Sequence, residues 1–418
     1  MAAVMATMAL GAAAGCVAAE QKTTPGSSQP ADLSSPGFSQ PAASSSRPAV
    51  DEEPGAVPWV GTWATAVQPG GRAFERQTLR QIVHTSIGGG SARIRLSNAY
   101  GRNALTLTGV HLARSVRGDA VDAATGRSVT FGGADSVTIP AGGMAVSDEV
   151  EFAVPVDGDV AISAYLPVAT GVSTRHTLAT RHNYVAAGEQ SSAERLSGAA
   201  RISSYFFLAG LDVRNEDADG AVVTFGASIT DGLGSRFGAN RRWPDLLSDR
   251  LRASGRIVGV LNSGISGNRL TGDTHGESAA KRFDRDVLQQ PGARWVIISD
   301  EALNDLGMAD MSTPVLVGAL EELIERGHGA GLTVICSTLT PFRGAGYWTQ
   351  RGEDGRAAFN TFVRSAGSGC DAVLDQDAVT RDPGSPGRFL AGFDSGDHLH
   401  PGDRGMGAIA DAVPLKWF

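Results

Sequence analysis

Cysteine is scarce: three residues in 418, with Cys16 near the amino terminus and only Cys336 and Cys370 in the body of the chain. Two cysteines cannot make a disulfide framework, though they allow one bridge, and buried free thiols are the expectation for both. Nothing in their spacing suggests zinc. There is no long block of like charge, and 36 Lys and Arg against 44 Asp and Glu leave a net charge of −8. That balance argues against nucleic acid or a polybasic membrane contact as partner and suits a small or neutral substrate. No repeat of about 20 to 50 residues is found, so solenoid architectures are excluded. Long apolar runs are also missing. The uncharged start, MAAVMATMALGAAAGCVAA, is short and Ala-rich, poor material for a membrane-spanning helix.

Residues 1–20 read as an export signal that lacks the usual basic start, and 21–57 as a Ser/Pro/Ala-rich spacer unable to support a core. AAGC at 13–16 resembles a bacterial lipoprotein signal, in which Cys16 would be lipidated and attach the protein to a membrane, with Ala13 where that pattern prefers Leu. Simple secretion is the alternative.

The rest of the chain is globular in composition, 42% hydrophobic and 19% charged, and its length calls for two domains. Across 58–210, short alternating segments such as QIVHTSI, ARIRLSNAY and DVAISAYLP are broken by Gly, a pattern that predicts an all-β sandwich or jelly roll. From 211 to 418 the texture changes. Apolar runs (AVVTF, RIVGVLN, RWVIIS, GLTVICSTL, AVLDQ) alternate with helical patterns, which predicts a three-layer α/β/α domain around a five-stranded parallel sheet. In such sheets the loops after the strands' carboxyl ends carry the site.

Three of those loops hold groups suited to acyl transfer. Gly226-Ala227-Ser228 ends a buried strand and exposes a hydroxyl in the turn; NSGISGNRL offers Gly264 and Gly267, which let backbone N–H groups face a ligand; the loop after RWVIIS ends in Asn304-Asp305, an amide able to donate to an oxyanion. Near the carboxyl end, DSGDHLHPGDRG places Asp397 and His400 three residues apart. One loop thereby supplies a base and a carboxylate to orient it, as a serine nucleophile requires.

These four blocks resemble the SGNH hydrolases, also called GDSL esterases and lipases, over roughly the last two hundred residues. The resemblance implies a flavodoxin-like fold, Ser228 as nucleophile, His400 as base, Asp397 as its orienter, and an oxyanion hole made by the Ser228 and Gly267 N–H groups and the Asn304 amide. It implies a serine ester hydrolase working through an acyl-enzyme, with neither metal nor cofactor. The β-rich segment ahead of it resembles the accessory domain of two-domain secreted members, some of them carbohydrate esterases, so a carbohydrate O-acetyl ester or similar short-chain ester is the expected substrate. Lipase, lysophospholipase or aryl esterase activity, acyl transfer to another hydroxyl, and a weakly active glycan-binding protein stay open. Two departures stand out. Ala227 replaces the family's Asp, removing a side chain that would brace the nucleophile turn, and VIISDEALNDLG has Ala302 for Gly and one extra residue, which would shift the facing of Asn304 unless a bulge absorbs it.

Other readings of these residues are weaker. Thr230 stands where the α/β-hydrolase elbow requires Gly, and no Lys-Ser/Thr pair follows GISGN as in a P-loop. His398 and His400 form an H-x-H pair without an evident third ligand, so His398 is expected to pack or face solvent. Asp305, Asp394 and Asp403 are expected as turn or cap residues, His176 and His182 as packing or hydrogen-bonding residues, and Trp59, Trp63 and Trp243 as core residues.

Overall fold

The structure is a computed structural model that describes residues 57–418. The expected signal at 1–20, the spacer at 21–57 apart from Val57, and Cys16 lie outside the described residues.

From Trp59 to Arg214 the chain forms antiparallel sheets. One contains Trp59–Ala64, Leu208–Arg214, Gly89–Ser97 and Val150–Val154; another is built on Gln77–Thr85, Gly158–Leu166 and Leu105–Arg117. Alternation accounts for the pairing: Val150–Val154 alternates buried and exposed positions, burying Val150, Phe152 and Val154. The expected boundary at 210/211 needs correction. Leu208–Arg214 lies between Trp59–Ala64 and Gly89–Ser97, with Trp59 opposite Arg214 and Leu211 opposite Ile94, so it completes the β region. The α/β domain begins at Gly220.

Five parallel strands follow in the order 258–264, 220–226, 293–298, 333–337, 372–374. Gly220–Gly226 is buried along its whole length, as a strand covered on both faces must be. Thr313–Gly329 packs on both Ala279–Phe283 and Gln350–Val363, while Asp403–Asp411 packs beside Trp243–Ala253, the two helix layers that right-handed crossovers produce on such a sheet. Strand order reverses beside 220–226. The carboxyl ends of 220–226, 258–264 and 293–298 therefore meet where the site is expected.

The edge strand Val258–Gly264 would expose unpaired backbone groups, but the β region covers it. Ser86 Oγ accepts from Val260 N at 3.0 Å and donates to Thr62 O at 2.6 Å, and Gly61 N donates to Pro291 O at 2.9 Å. The hydrophobic core is continuous across this contact, running from Val83, Ile94 and Leu211 to Val222, Leu261 and Ile297.

The expectation of two free thiols is overturned. Cys336 and Cys370 form a disulfide, since Cys336 lies in Thr333–Ser337 and Cys370 just precedes the neighbouring strand Ala372–Leu374, bringing their Cα atoms to 5.8 Å. The bond closes a loop across a sequence separation of 34. Replacing both cysteines by Ala is expected to lower the unfolding free energy by about 3 to 4 kcal/mol through the unfolded state, read as a lower denaturant midpoint. An unchanged midpoint would show that the bond contributes nothing.

Candidate active site

The strand Gly220–Gly226 runs into Ala227 and then a single helical turn, Ser228–Asp231, closed by Gly232 in the left-handed conformation. Ser228 occupies the first position of that turn, where the backbone N–H has no intrahelical acceptor. The turn has a brace that Ala227 itself cannot provide. The buried carboxylate of Asp300 accepts from Ala227 N at 3.1 Å, Ile229 N at 2.8 Å, Thr230 N at 3.3 Å and Thr230 Oγ1 at 2.6 Å. The expected loss of bracing is thus corrected: a carboxylate from the end of the neighbouring strand supplies it.

His400 Nε2 lies 2.8 Å from Ser228 Oγ, and His400 Nδ1 lies 2.6 Å from Asp397 Oδ2. The Asp397 Oδ1 atom accepts from the backbone N–H groups of His400 at 2.9 Å and Leu399 at 3.0 Å. Partial burial pushes the Asp397 carboxyl up, but the bonds from the His400 ring and these two N–H groups outweigh it and hold it down at about 2. Asp397 therefore stays ionised throughout the ordinary pH range. The loop is tied by Ser395 N to His400 O at 2.9 Å and by Gly402 N to Phe393 O at 2.7 Å, before the Asp403–Asp411 helix begins.

Asn304 sits on the helix Glu301–Met308, whereas the sequence suggested a loop. The strand stops at Ile298, so the extra residue is absorbed before the helix and does not set the direction of Asn304. Its Nδ2 donates to Asn268 O at 2.7 Å and its Oδ1 accepts from the Tyr347 hydroxyl at 3.1 Å. Together these fix the amide's orientation and leave its second N–H without a protein acceptor among the described residues. Gly307, one turn on, makes room for the tyrosine: a Cβ there would lie 2.1 Å from the Tyr347 ring.

Gly267 has φ +76°, and a Cβ on it would meet the His275 ring at 2.2 Å, so only glycine fits. Its N–H and that of Ser228 have no protein acceptor among the described residues. The neighbours of Gly267 are held from both sides. Ser266 N and Oγ donate to Asp231 Oδ2 at 2.9 and 2.7 Å, and Asp305 accepts from Leu270 N at 2.6 Å and Thr271 Oγ1 at 2.5 Å. Arg282, fully buried, donates to Asn268 Oδ1 at 2.9 Å, Ser263 O at 2.8 Å and Gly226 O at 2.9 Å.

The structure thus brings Ser228, His400 and Asp397 into one hydrogen-bonded line. Gly267 and Asn304 are joined to each other through Asn268. Asp305, Asp394 and Asp403 are turn or cap acceptors: Asp394 takes Gly396 N and the His398 ring, and Asp403 takes Arg236 N. Among the described residues no group of three or more His, Cys, Asp or Glu could hold a metal ion. Sequence reasoning missed Asp300, Tyr347, Arg282 and Asp231. Only Asp300 left a trace, as a carboxylate just after a buried strand.

Glu301 is buried beside Asp300, with Arg282 no nearer than 3.9 Å. Burial pushes its carboxyl up to about 8, against the pull of Arg282 and with a further push from Asp300. Between its ordinary value of 4.5 and about 8 the folded protein holds a proton that the unfolded chain has released, so stability falls as pH rises across that window. Glu301→Gln is expected to remove this fall, measured as unfolding free energy against pH; an unaltered slope would mean that Glu301 is already ionised in the fold.

Residues 224–408 match the GDSL-like Lipase/Acylhydrolase family. No curated protein matches the chain. Among solved structures the chain is similar to a lipase/acylhydrolase from Enterococcus faecalis, with 21% identity over 47% of this chain and 94% of that one and a TM-score of 0.37. It is also similar to a psychrotrophic esterase from Pseudoalteromonas sp. inhibited by monoethylphosphonate, at 18% identity, 46% and 94% coverage and a TM-score of 0.36. A third is a variant of an acetyl-xylooligosaccharide esterase from Geobacillus Stearmophilus, at 20% identity, 47% and 92% coverage and a TM-score of 0.36.

Proposed function

Residues 224–408 form a domain of the GDSL-like lipase/acylhydrolase family, a family of carboxylic ester hydrolases, and from that premise we propose that Ser228 is the nucleophile of a serine-dependent esterase. The observation that carries this is the unbroken line from Ser228 Oγ to His400 at 2.8 Å and on to Asp397 at 2.6 Å. His400 Nε2 takes the proton as Ser228 Oγ bonds to the ester carbonyl carbon, and Asp397 keeps the proton on Nδ1. The carbonyl oxygen becomes an oxyanion, met by the N–H groups of Ser228 and Gly267 and the uncommitted N–H of Asn304. Collapse expels the alcohol, which takes the proton from His400. Water, deprotonated by the same ring, then cleaves the acyl-enzyme.

The acyl group is short, and an O-acetylated carbohydrate is the proposed substrate. Ser228 and His400 are 7% and 6% exposed, so the reacting atoms are shielded from bulk water. In support of the carbohydrate, the β region ahead of the hydrolase domain, read as a sandwich, resembles the layout of carbohydrate esterases. Export, with or without a lipid on Cys16, is proposed from the character of the first residues and from a disulfide that needs an oxidising compartment. The rival reading, a binding protein whose machinery has decayed, loses its motive: Asp300 braces the turn that Ala227 cannot, and Tyr347 orients Asn304.

Hydrolysis of a short-chain aryl ester and labelling by a fluorophosphonate are expected for the unmodified protein, and both should vanish in Ser228→Ala. Neither turnover nor label in the unmodified protein would overturn the esterase reading, and glycan binding unchanged by Ser228→Ala would then favour the binding reading. Asn304→Ala is expected to lower kcat by about 10²- to 10³-fold with little change in KM; a kcat within threefold of the parent would remove Asn304 from the oxyanion hole. An acetylated-glycan panel beside long-chain esters tests the substrate class, and faster turnover of the long chains would favour a lipase.

A further inference from the structure

A buried imidazole of the β region reaches the catalytic loops. His176 ends the strand Ser173–His176, and its ring stands between two domains. Nδ1 lies 2.8 Å from Ala66 O; Nε2 lies 3.1 Å from Leu178 O and 3.1 Å from Asp231 Oδ1. Every partner is an acceptor, so both ring nitrogens must donate and the ring is an imidazolium. Burial alone would favour the neutral ring, but the Asp231 carboxylate and the two carbonyls reverse this and raise its pKa above the ordinary value. Both side chains are about 3% exposed, so the pair is shielded from water and salt.

Asp231 is the last residue of the Ser228–Asp231 turn, and its second oxygen holds Ser266 through both N–H and hydroxyl. Ser266 immediately precedes Gly267. A second strut reaches the same loop from the β region: Gln68 Nε2 donates to His275 O at 2.6 Å, and the His275 ring is the group that closes over Gly267. Residues of the β region thus brace the Gly267 loop from two sides.

We infer that His176 is a positioning residue for ester hydrolysis, holding the Gly267 loop against the Ser228 turn through Asp231 and Ser266. The inference rests on the reading of Gly267 as an oxyanion donor. It gives the β region a part in the chemical step, separate from any binding of glycan. Removing the imidazolium leaves Asp231 buried without its cation and frees the loop to drift, and a displacement of about 1 Å in a catalytic group costs up to about 100-fold in rate.

The test uses the full chain with His176→Gln, Ser266→Ala and the double variant, assayed with a short-chain aryl ester beside hydrogen exchange of residues 264–268. Support would be a kcat about 10- to 100-fold lower in His176→Gln with KM within twofold, faster exchange in that loop, and a double variant no slower than His176→Gln within twofold. Should His176→Gln not fold, Ser266→Ala carries the same expectation alone, with a smaller loss in kcat and faster loop exchange. Parent-like kcat, a loss only in KM, or losses that multiply in the double variant would overturn the inference while leaving the esterase reading intact. An inactive parent would sink the esterase reading instead, and unchanged loop exchange in the variants would then overturn this one independently.

Discussion

The guanidinium of Arg282 is the group on which the site's geometry depends. A cation buried this deeply is tolerable only if its N–H donors are spent on well-placed acceptors. Here the acceptors are Gly226 O at the end of the nucleophile strand, Ser263 O on its neighbour, Asn268 Oδ1 in the Gly267 loop and Asp286, with the Phe225 ring 4.0 Å away on its face. A planar, rigid donor set makes the spacing of these backbone segments a property of one side chain.

Around that anchor the backbone donors divide into two kinds. Those of Ala227, Ile229 and Thr230 are spent on Asp300, and those of Leu270 and Thr271 on Asp305. The N–H groups of Ser228 and Gly267 have no protein acceptor among the described residues, which suits them to the oxyanion role proposed above. A carboxylate close to a nucleophile would ordinarily oppose an oxyanion. Asp300 is compatible because its charge is already met by N–H groups and a hydroxyl.

How much was legible follows from how far each interaction reaches along the chain. The parallel sheet could be read because its strands are buried apolar runs, and Asp397 with His400 because a three-residue spacing is local. Ser228 was recognisable only in company with the other blocks. Tyr347 and Arg282 could not be found this way: each acts on a partner 43 or 56 residues distant, with nothing in the local pattern to mark it. The domain boundary was misplaced for the same reason. Leu208–Arg214 looks like the prelude to the next domain until its partners, Trp59–Ala64 and Gly89–Ser97, are seen on either side. Cys336 and Cys370 met because strands 34 residues apart became neighbours.

A core shared across two differently built halves has an evolutionary corollary. Recombination at the 215–219 junction would strand Leu261 and the unpaired edge of Val258–Gly264 in water and leave Trp59–Ala64 without its floor. The two halves must therefore be inherited as a unit. Drift in one is constrained by the other, and substitutions along Gly61, Ser86 and Gly259 should be accepted in compensating sets instead of singly.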